Sequence, residues 1–293
     1  MLKPQKALHL YQELEKKRTK VREDTFIIFE KYDGWYGLKE VSQGGDKFPL
    51  ITSRARRAIP SLVDLSRSMA KLEADNSFID GTLIFEILVK GSPLFKDLNG
   101  ILNRSKAPCQ ASNAYVIVHD YIPTEGLYMP FNERYELARA YVSRLNHSAV
   151  QIAPIMGHGT ADAVQYHAEQ VWARGGEGAI GKNAYAGYSE GKRNKDIIKV
   201  KCEVTVENVC VGYEPGTGKY AGTLGSITVR SKAGVENNLS GMSDEERDRW
   251  WSNPLLIVGR VVEIDAMQIL ANGSFREGRF KAIRYDKDVS EID

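Results

Sequence analysis

One lysine in this sequence stands where its side-chain amine could act as a nucleophile. Lys31 follows the apolar, β-rich run Thr25–Phe29 and precedes the turn signal Asp33–Gly34. At the end of a buried strand the amine can be held in a pocket, where partial desolvation and neighbouring cations favour its uncharged, reactive form. A lysine in a predicted hairpin is usually a solvated surface residue, so support must come from elsewhere in the chain.

Other segments carry charged residues of the types that bind phosphates or metal ions. Lys199 and Lys201 alternate along a predicted strand and therefore face the same side of its sheet. Asp80 and Glu177 offer the hard oxygen ligands that Mg²⁺ prefers. Arg54 could donate two parallel hydrogen bonds to a phosphate or a ribose. Each of these residues, taken alone, is typical of an ordinary protein surface.

The spacing of apolar residues along the chain predicts the helices and strands that must position these residues. An apolar stripe from Ala7 to Leu14 predicts a helix over the first twenty residues. Strands are predicted at Thr25–Phe29, Trp35–Val41, Ser77–Val89, Ala114–Asp120 and Gly178–Gly181. Helices are predicted at Ser61–Asp75, Pro130–Leu145 and Ala161–Arg174. This interleaving predicts an α+β domain with mostly antiparallel sheets.

After Lys201 the pattern changes to short strands separated by glycine-rich turns. The strands are predicted at Val204–Tyr213, Gly225–Arg230, Ile257–Ala266 and Phe280–Tyr285. One short helix, Ser243–Trp251, opens with a capping box formed by Ser243 and Glu246. The pattern fits a five-stranded barrel. We therefore predict two domains, residues 1–202 and residues 203–293.

Composition excludes some classes of protein. Apolar residues at 42% and charged residues at 27% are those of a globular protein, and no run of 18 apolar residues predicts a membrane span. The first residues lack the features of a signal peptide, so we expect a cytoplasmic protein. The cysteines, Cys109, Cys202 and Cys210, have no paired spacing that predicts a disulfide framework or a zinc site. Residues 1–202 carry a charge balance of +6 and residues 203–293 one of −4, which identifies no partner.

The order of the segments resembles the six motifs of the covalent nucleotidyltransferase superfamily, which contains ATP-dependent DNA ligases, RNA ligases and mRNA capping enzymes. The matching segments are Lys31–Gly34, Phe78–Leu83, Tyr115–Tyr121, Glu177–Lys182, Ile198–Lys201 and Arg284–Lys287. Ser53–Arg54 followed by Ile59–Pro60 is similar to the arginine segment of compact phage-type DNA ligases. The resemblance implies an adenylation domain with antiparallel sheets, followed by an OB-fold barrel.

The resemblance also implies an activity, that of an ATP-dependent DNA ligase. Lys31 would form a lysyl-AMP intermediate, and AMP would pass to the 5′-phosphate of a nick before the 3′-hydroxyl seals the strand. The nucleotide-binding residues implied are Glu30, Arg54, Thr82, His119, Lys199, Lys201, Arg284 and Lys287. Asp80 and Glu177 would hold Mg²⁺, for which Mn²⁺ could substitute. The implied partner is nicked double-stranded DNA, bound by a monomer away from any membrane.

Three positions depart from the family pattern. Tyr36 stands where the first motif usually has an arginine, and Thr82 stands where the third motif usually has a glutamate that grips the ribose. His119 stands where an aromatic ring stacks on the adenine, and a histidine titrates near neutrality. Glu86 lies four residues after Thr82 on the same strand face, but the sequence alone does not assign it the role of the missing glutamate.

Other functions remain open at this point. An RNA ligase shares the lysine chemistry, although many RNA ligases lack a barrel of this type. A capping enzyme has the barrel and the sixth motif but uses GTP. The three departures could also mark a nucleic-acid-binding protein that has lost catalysis. Nor does the sequence choose between DNA replication, repair and recombination.

Overall fold

The computed structural model describes residues 2–10, 24–42, 49–74, 77–91, 95–104, 111–270 and 272–292. The chain forms two compact units, Met1–Val200 and Lys201–Asp293. The helix predicted over the first twenty residues is wrong for Lys6–His9, which forms a strand, whereas Leu10 is helical. The rest of that predicted helix, from residue 11 onward, and Cys109 lie outside the described residues.

The first unit contains most of the helices and strands that the described residues form. Its strands are β1 (Lys6–His9), β2 (Phe26–Glu30), β3 (Trp35–Val41), β4 (Thr52–Ser53), β5 (Gly81–Val89), β6 (Ala114–Pro123), β7 (Val150–Ile152), β8 (Ile155–Gly159), β9 (Gly178–Asn183) and β10 (Arg193–Lys201). Its helices are α1 (Val63–Ala74), α2 (Phe95–Leu102), α3 (Phe131–Leu145) and α4 (Ala161–Ala173). No helix among the described residues has the length and apolar character needed to cross a membrane.

The strands of this unit form two five-stranded sheets. The first sheet has the order β1-β10-β9-β2-β8, and the second has the order β4-β3-β5-β6-β7. The pairs β1–β10 and β6–β7 are parallel, whereas β2 pairs antiparallel with β8 and β9, and β5 pairs antiparallel with β3 and β6. The predicted α+β class with mostly antiparallel sheets is confirmed.

Alternation along β2 explains how the first sheet is buried on both faces. Phe26 and Ile28 pack with residues of α4, while Ile27 and Phe29 pack with Ile117 of β6 and with residues of α3. Successive side chains of a strand point to opposite faces, so this short apolar run contributes side chains to two hydrophobic cores. The strand that leads to Lys31 is therefore held rigidly from both sides.

The second unit is built around one antiparallel sheet. Its strands are β11 (Val204–Pro215), β12 (Leu224–Arg230), β13 (Glu236–Leu239), β14 (Val261–Ala266), β15 (Gln268–Ile269), β16 (Phe275–Arg276) and β17 (Arg279–Ile283), and its helix is α5 (Asp244–Ser252). Five of the strands form a sheet in the order β13-β12-β11-β14-β17. Trp250 of α5 packs edge-on against Phe280, with ring centroids 5.2 Å apart.

The sequence predicted most of this unit. The capping box of Ser243 and Glu246 is confirmed. The strand predicted to start at Ile257 instead starts at Val261, because Pro254–Leu256 forms a turn of 3₁₀ helix. Strand β13 was missed, since its sequence Glu-Asn-Asn-Leu lacks the alternating apolar residues that predict a strand.

Candidate active site

Lys31 and Glu177 meet because β2 and β9 are antiparallel neighbours. Lys31 directly follows β2, and its backbone N–H donates to the carbonyl oxygen of Gly178 at 2.9 Å. Its Nζ donates to Glu177 Oε2 at 2.6 Å, and the side chains are 23% and 4% exposed respectively. The carbonyl oxygen of Glu177 accepts a hydrogen bond from Trp172 Nε1 at 3.0 Å, which fixes the start of β9. The amine therefore points into the protein and not into bulk water.

The turn after Lys31 passes close to β5. A Cβ atom on Gly34 would lie 2.8 Å from the carbonyl oxygen of Ile87 and 3.2 Å from Glu86 Oε2. Both distances are shorter than ordinary van der Waals contacts, so only glycine allows this approach. The carboxylate of Glu86 thus lies against the turn that carries the candidate nucleophile.

Glu86 is the site residue that sequence reasoning left unassigned. It lies opposite Tyr36 in the β3–β5 ladder and is half-buried. Burial raises the pKa of Glu86 to about 7, although the positive charges of Lys31 and Arg54 act in the opposite direction. The sequence feature that could have identified Glu86 is its position on the same strand face as Thr82.

Asp80 and Thr82 are not brought to Lys31. Thr82 lies opposite Glu40 in the same ladder, and its Oγ1 donates to Glu40 Oε2 at 2.9 Å. Four residues of strand separate Thr82 from Glu86, which is about 13 Å at the rise of a β-strand. Asp80 is exposed and precedes β5, farther still along the strand direction. Among these residues of the strand and its approach, Glu86 is therefore the one whose carboxylate lies near Lys31, and Asp80 and Thr82 lie farther along the strand direction.

Arg54 is held over the aromatic ring that replaces the expected arginine. Its guanidinium carbon lies 4.6 Å from the ring centroid of Tyr36, within the range of a cation–π contact. Burial and the neighbouring hydroxyl of Tyr188 raise the pKa of Tyr36 well above its usual value, so the ring stays a neutral phenol. Tyr36 therefore places one positive charge, that of Arg54, beside Glu86.

His119 belongs to a buried polar cluster. Lys182 Nζ donates to His119 Nδ1 at 2.9 Å and to the His119 carbonyl oxygen at 3.1 Å. Burial and the adjacent Lys182 hold the pKa of His119 well below its usual range, so the expectation that it titrates near neutrality is wrong. Burial likewise lowers the pKa of Lys182 to about 8. The ring of His119 lies 6.3 Å from that of Tyr36 and is neutral at physiological pH.

The same cluster contains two further charges. Arg134 Nε donates to Asp120 Oδ1 at 2.9 Å, and Lys182 Nζ lies 3.5 Å from Asp120 Oδ2. All three side chains are at most 5% exposed. Burial opposes the ionised form of Asp120, but Arg134 and Lys182 outweigh it and hold the pKa of the carboxyl below its usual value. The charge of Asp120 thus offsets the free-energy cost of burying two cations.

Lys199 and Lys201 lie on one face of β10. Ile198 and Val200 between and beside them are fully buried in the core against α4, so the lysines point to the opposite face. Lys201 Nζ pairs with Glu277 Oε2 at 2.9 Å. Glu30, the last residue of β2, forms an ion pair with Arg174.

Arg284 and Lys287 lie in the second unit. Arg284 donates through Nε and Nη2 to the two carboxylate oxygens of Asp286, at 2.9 and 2.6 Å. This pairing lowers the pKa of Asp286 to about 2. Arg284 and Lys287 also both contact Glu207.

Two carboxylates near Lys31 are ligands of the kind that a magnesium ion takes. Among the residues that the structure describes, no group of three or more His, Cys, Asp or Glu is arranged to hold a metal. Glu177 and Glu86 are two carboxylates near Lys31. Mg²⁺ commonly takes one or two protein carboxylates and completes its shell with water and substrate phosphates, so this pair fits the ion.

The raised pKa of Glu86 makes a testable difference to stability. A carboxyl group that binds its proton more tightly in the folded protein stabilises the fold at low pH, and this contribution is lost as pH rises through about 7. Glutamine at position 86 removes the charge. We expect the Tm of Glu86→Gln to rise relative to wild type as pH increases from about 5 to about 8. Glu125→Gln, at an exposed position, is the control and is expected to follow wild type. Parallel Tm curves for Glu86→Gln and wild type would refute the assignment.

The chain is similar in sequence to proteins named DNA ligase. The DNA ligase of Methanocorpusculum labreanum is 25% identical over 301 residues, covering 92% of this chain and 53% of the relative. The DNA ligase of Archaeoglobus fulgidus is 24% identical over 320 residues, covering 97% of this chain and 56% of the relative. The chain thus spans about half the length of these curated relatives.

Solved structures share the fold. A Lig E DNA ligase, from a structure–function study of DNA binding with a minimal scaffold, superposes with a TM-score of 0.75 at 20% identity, covering 97% of this chain and all of that one. The ATP-dependent DNA ligase from bacteriophage T7 in complex with ATP has a TM-score of 0.57 at 21% identity, covering 96% of this chain and 98% of that one. The model of the DNA ligase OB-like domain matches residues 215–284. The model of the ATP dependent DNA ligase domain matches residues 4–201, so this chain belongs to the ATP-dependent DNA ligase family.

Proposed function

We propose that this chain is an ATP-dependent DNA ligase that seals nicks between a 5′-phosphate and a 3′-hydroxyl. The observation that carries the proposal is the Lys31–Glu177 pair, in which a partly buried amine is held 2.6 Å from a buried carboxylate. A primary amine held in a fixed position is the nucleophile that a covalent nucleotidyl intermediate needs. Membership of the ATP-dependent DNA ligase family supports AMP as the group transferred.

The proposed reaction begins on Lys31. Its Nζ attacks the α-phosphorus of ATP, the N–P bond forms, the bond to the β-phosphate oxygen breaks, and pyrophosphate leaves. The proton that the amine loses in this step passes to water. Glu177, already hydrogen-bonded to the amine, orients it toward the incoming phosphorus.

Two further transfers complete the proposed cycle. An oxygen of the DNA 5′-phosphate attacks the α-phosphorus, the N–P bond of lysyl-AMP breaks, and AMP moves to the DNA end. The 3′-hydroxyl then attacks the 5′-phosphorus, the new phosphodiester bond forms, and AMP departs. The covalent role of Lys31 ends when AMP reaches the DNA.

The groups around Lys31 are proposed to contact the phosphates, the ribose and the adenine of ATP. Arg54 and Lys199 are proposed to contact the phosphates or the ribose, since cations stabilise the charge that accumulates in phosphoryl transfer. Glu86 is proposed to accept a ribose hydroxyl hydrogen bond in place of Thr82. His119 is proposed to contact the adenine as a neutral ring, and Glu30 to line the same pocket.

We also propose a metal ion for this site. Glu177 and Glu86 would hold Mg²⁺, or Mn²⁺ in its place, and the ion would neutralise the charge of the triphosphate. The proposed division into an adenylation domain, residues 1–202, and an OB-fold domain, residues 203–293, assigns this metal and Lys31 to the first domain. Monomeric action on nicked duplex DNA and a cytoplasmic location belong to the same proposal.

Labelled nucleotides test the proposal directly. The wild-type protein is incubated with Mg²⁺ and either α-labelled ATP or α-labelled GTP, denatured in detergent at neutral pH, and examined for bound label. We expect label from ATP alone, and we expect sealing of a nicked DNA duplex after ATP is added. Label from GTP would indicate a capping enzyme. Faster sealing of a nick with RNA on its 3′-hydroxyl side would indicate an RNA ligase, and no label from either nucleotide would refute covalent catalysis.

A further inference from the structure

Arg54 lies in a short turn that directly follows β4. Ser53, the last residue of β4, is the partner of Gly37 in the antiparallel β3–β4 ladder. The next residue along the chain, Arg54, therefore comes beside Tyr36, the residue before Gly37. A backbone hydrogen bond from the N–H of Arg56 to the carbonyl oxygen of Ser53, at 2.8 Å, closes the turn. The backbone of Arg54 is thus held next to β3.

The second arginine of this turn is held by polar contacts. Arg56 Nε donates to the carbonyl oxygen of Leu2, and its Nη1 donates to Glu40 Oε1, both at 3.0 Å. Arg56 has a φ of 60°, a conformation that is uncommon for a residue with a side chain. The guanidinium of Arg56 therefore anchors the turn to Glu40 of β3 and to the backbone of Leu2.

The side chain of Arg54 is held differently. It is exposed, and no carboxylate among the residues that the structure describes forms an ion pair with it. Its contact is with the ring of Tyr36, whose centroid lies 4.6 Å from the guanidinium carbon. An arginine stacked on a ring keeps the N–H groups at the edge of its plane available for other acceptors. The contact therefore orients Arg54 without consuming its hydrogen-bond donors.

The ring of Tyr36 is itself a fixed surface. It packs against the buried cluster of Leu38, Ile84, Ile122 and Tyr188. Tyr188 is 7% exposed, and its hydroxyl accepts a hydrogen bond from the backbone N–H of Gln5 at 2.9 Å. Close packing on one side limits the rotamers of a ring. Tyr36 can therefore fix the direction of a cation that would otherwise move in solvent.

We propose that Tyr36 is a positioning residue, whose ring holds the guanidinium of Arg54 in the orientation that binds the phosphates of ATP before Lys31 attacks. This inference rests on the proposed function. Tyr36 stands where the first motif usually has an arginine, so its ring adds no charge of its own but orients a charge from another strand. An arginine whose rotamer is already selected loses less entropy when it binds a ligand.

Two substitutions at position 36 test the ring itself. The readout is the rate of lysyl-AMP formation at low ATP concentration, without DNA. We expect Tyr36→Leu to lower this rate by about three- to tenfold, the scale of a lost cation–π contact. Tyr36→Phe keeps the ring and is expected to stay within about twofold of wild type. Equal losses in Tyr36→Phe and Tyr36→Leu would overturn the inference.

A double variant tests whether Tyr36 acts through Arg54. Arg54→Ala is expected to lower the rate by about tenfold or more, as for a lost hydrogen bond to a charged group. Adding Tyr36→Leu to Arg54→Ala should change the rate by less than about a further twofold, because no guanidinium remains to be held. Losses that multiply would give Tyr36 a separate, structural role and overturn the inference. Arg57→Ala removes another exposed arginine and is the control, expected to keep the wild-type rate.

A measurement on folded protein covers the case in which Tyr36→Leu does not fold. The NMR signals of the Arg54 side chain, assigned by their loss in Arg54→Ala, should be displaced by the ring current in wild type and in Tyr36→Phe. Undisplaced signals would overturn the inference while leaving the proposed function intact. A wild-type protein that takes no label from ATP would overturn the proposed function, and this inference with it.

Discussion

Lys31→Ala is expected to take no label from α-labelled ATP and to seal no nick that starts without adenylate. The amine at position 31 is the only atom proposed to form a bond to the α-phosphorus, and its loss leaves no nucleophile beside Glu177. We expect the rate of lysyl-AMP formation to fall by at least about four orders of magnitude, the scale seen when a covalent nucleophile is removed. Detergent gels of labelled protein measure this directly.

The control and a second substrate make this result specific. Lys90→Ala removes an exposed lysine of the same unit and is expected to keep wild-type labelling. Lys31→Ala is expected to retain sealing of a nick that already carries AMP, because the covalent role of Lys31 precedes that step. Label retained on Lys31→Ala would mean that a different residue is the nucleophile.

Asp120→Ala is expected to destabilise the first unit by about 3–5 kcal/mol, since the change leaves two buried cations without their shared anion. Arg134 and Lys182 are 3% and 5% exposed, so water cannot replace the lost carboxylate. For a unit of this size the loss corresponds to a fall in Tm of about 6–20 °C. Thermal unfolding followed by circular dichroism measures it.

A surface ion pair is the matched control for Asp120. Asp64 pairs with Arg67 at 3.0 Å, but their side chains are 63% and 62% exposed. Exposed pairs of this kind contribute little, so Asp64→Ala should change the stability by less than about 1 kcal/mol. Similar Tm values for Asp64→Ala and Asp120→Ala would contradict the view that burial makes the Asp120 cluster important.

The strand–turn–strand setting of Lys31 could be predicted because its signals are local. An apolar run, an Asp-Gly turn and a second alternating run lie within seventeen residues, and the structure has β2 and β3 at those places. The helix α5 was equally predictable, since Ser243 and Glu246 form a cap within one turn. Local chemistry determines both features, so no knowledge of the tertiary fold was needed.

Which residue of β5 lies opposite Tyr36 depends on strand register, and the sequence could not show it. Asp80-Gly81-Thr82-Leu83 matches a short pattern, yet the β3–β5 ladder places Glu86, not Thr82, opposite Tyr36. Register is determined by the packing of both faces of a sheet and is not visible in four residues. Glu86 lies within the run Ile84–Val89, where the sequence alone suggests an apolar strand and no site.

The state of His119 could not be predicted for a similar reason. Its sequence neighbours suggest an ordinary histidine, whereas its pKa depends on Lys182, which lies 63 residues later in the chain. The buried pair of Lys39 and Glu73 is another case, since the two residues lie 34 positions apart. The state of a buried charged group depends on its partners, and only the tertiary fold brings those partners next to it.

The distance along the chain between Lys31 and Glu177 has a consequence for how the protein matures. The two residues are 146 positions apart, and their strands become neighbours only when the intervening chain has compacted. Contacts between such distant segments form late. The entropy cost of closing a large loop must be met before these contacts can stabilise the fold. A newly made chain therefore contains Lys31, the candidate nucleophile, before Glu177 has reached it. The proposed adenylylation of Lys31 would therefore begin only when the whole unit has reached its native state.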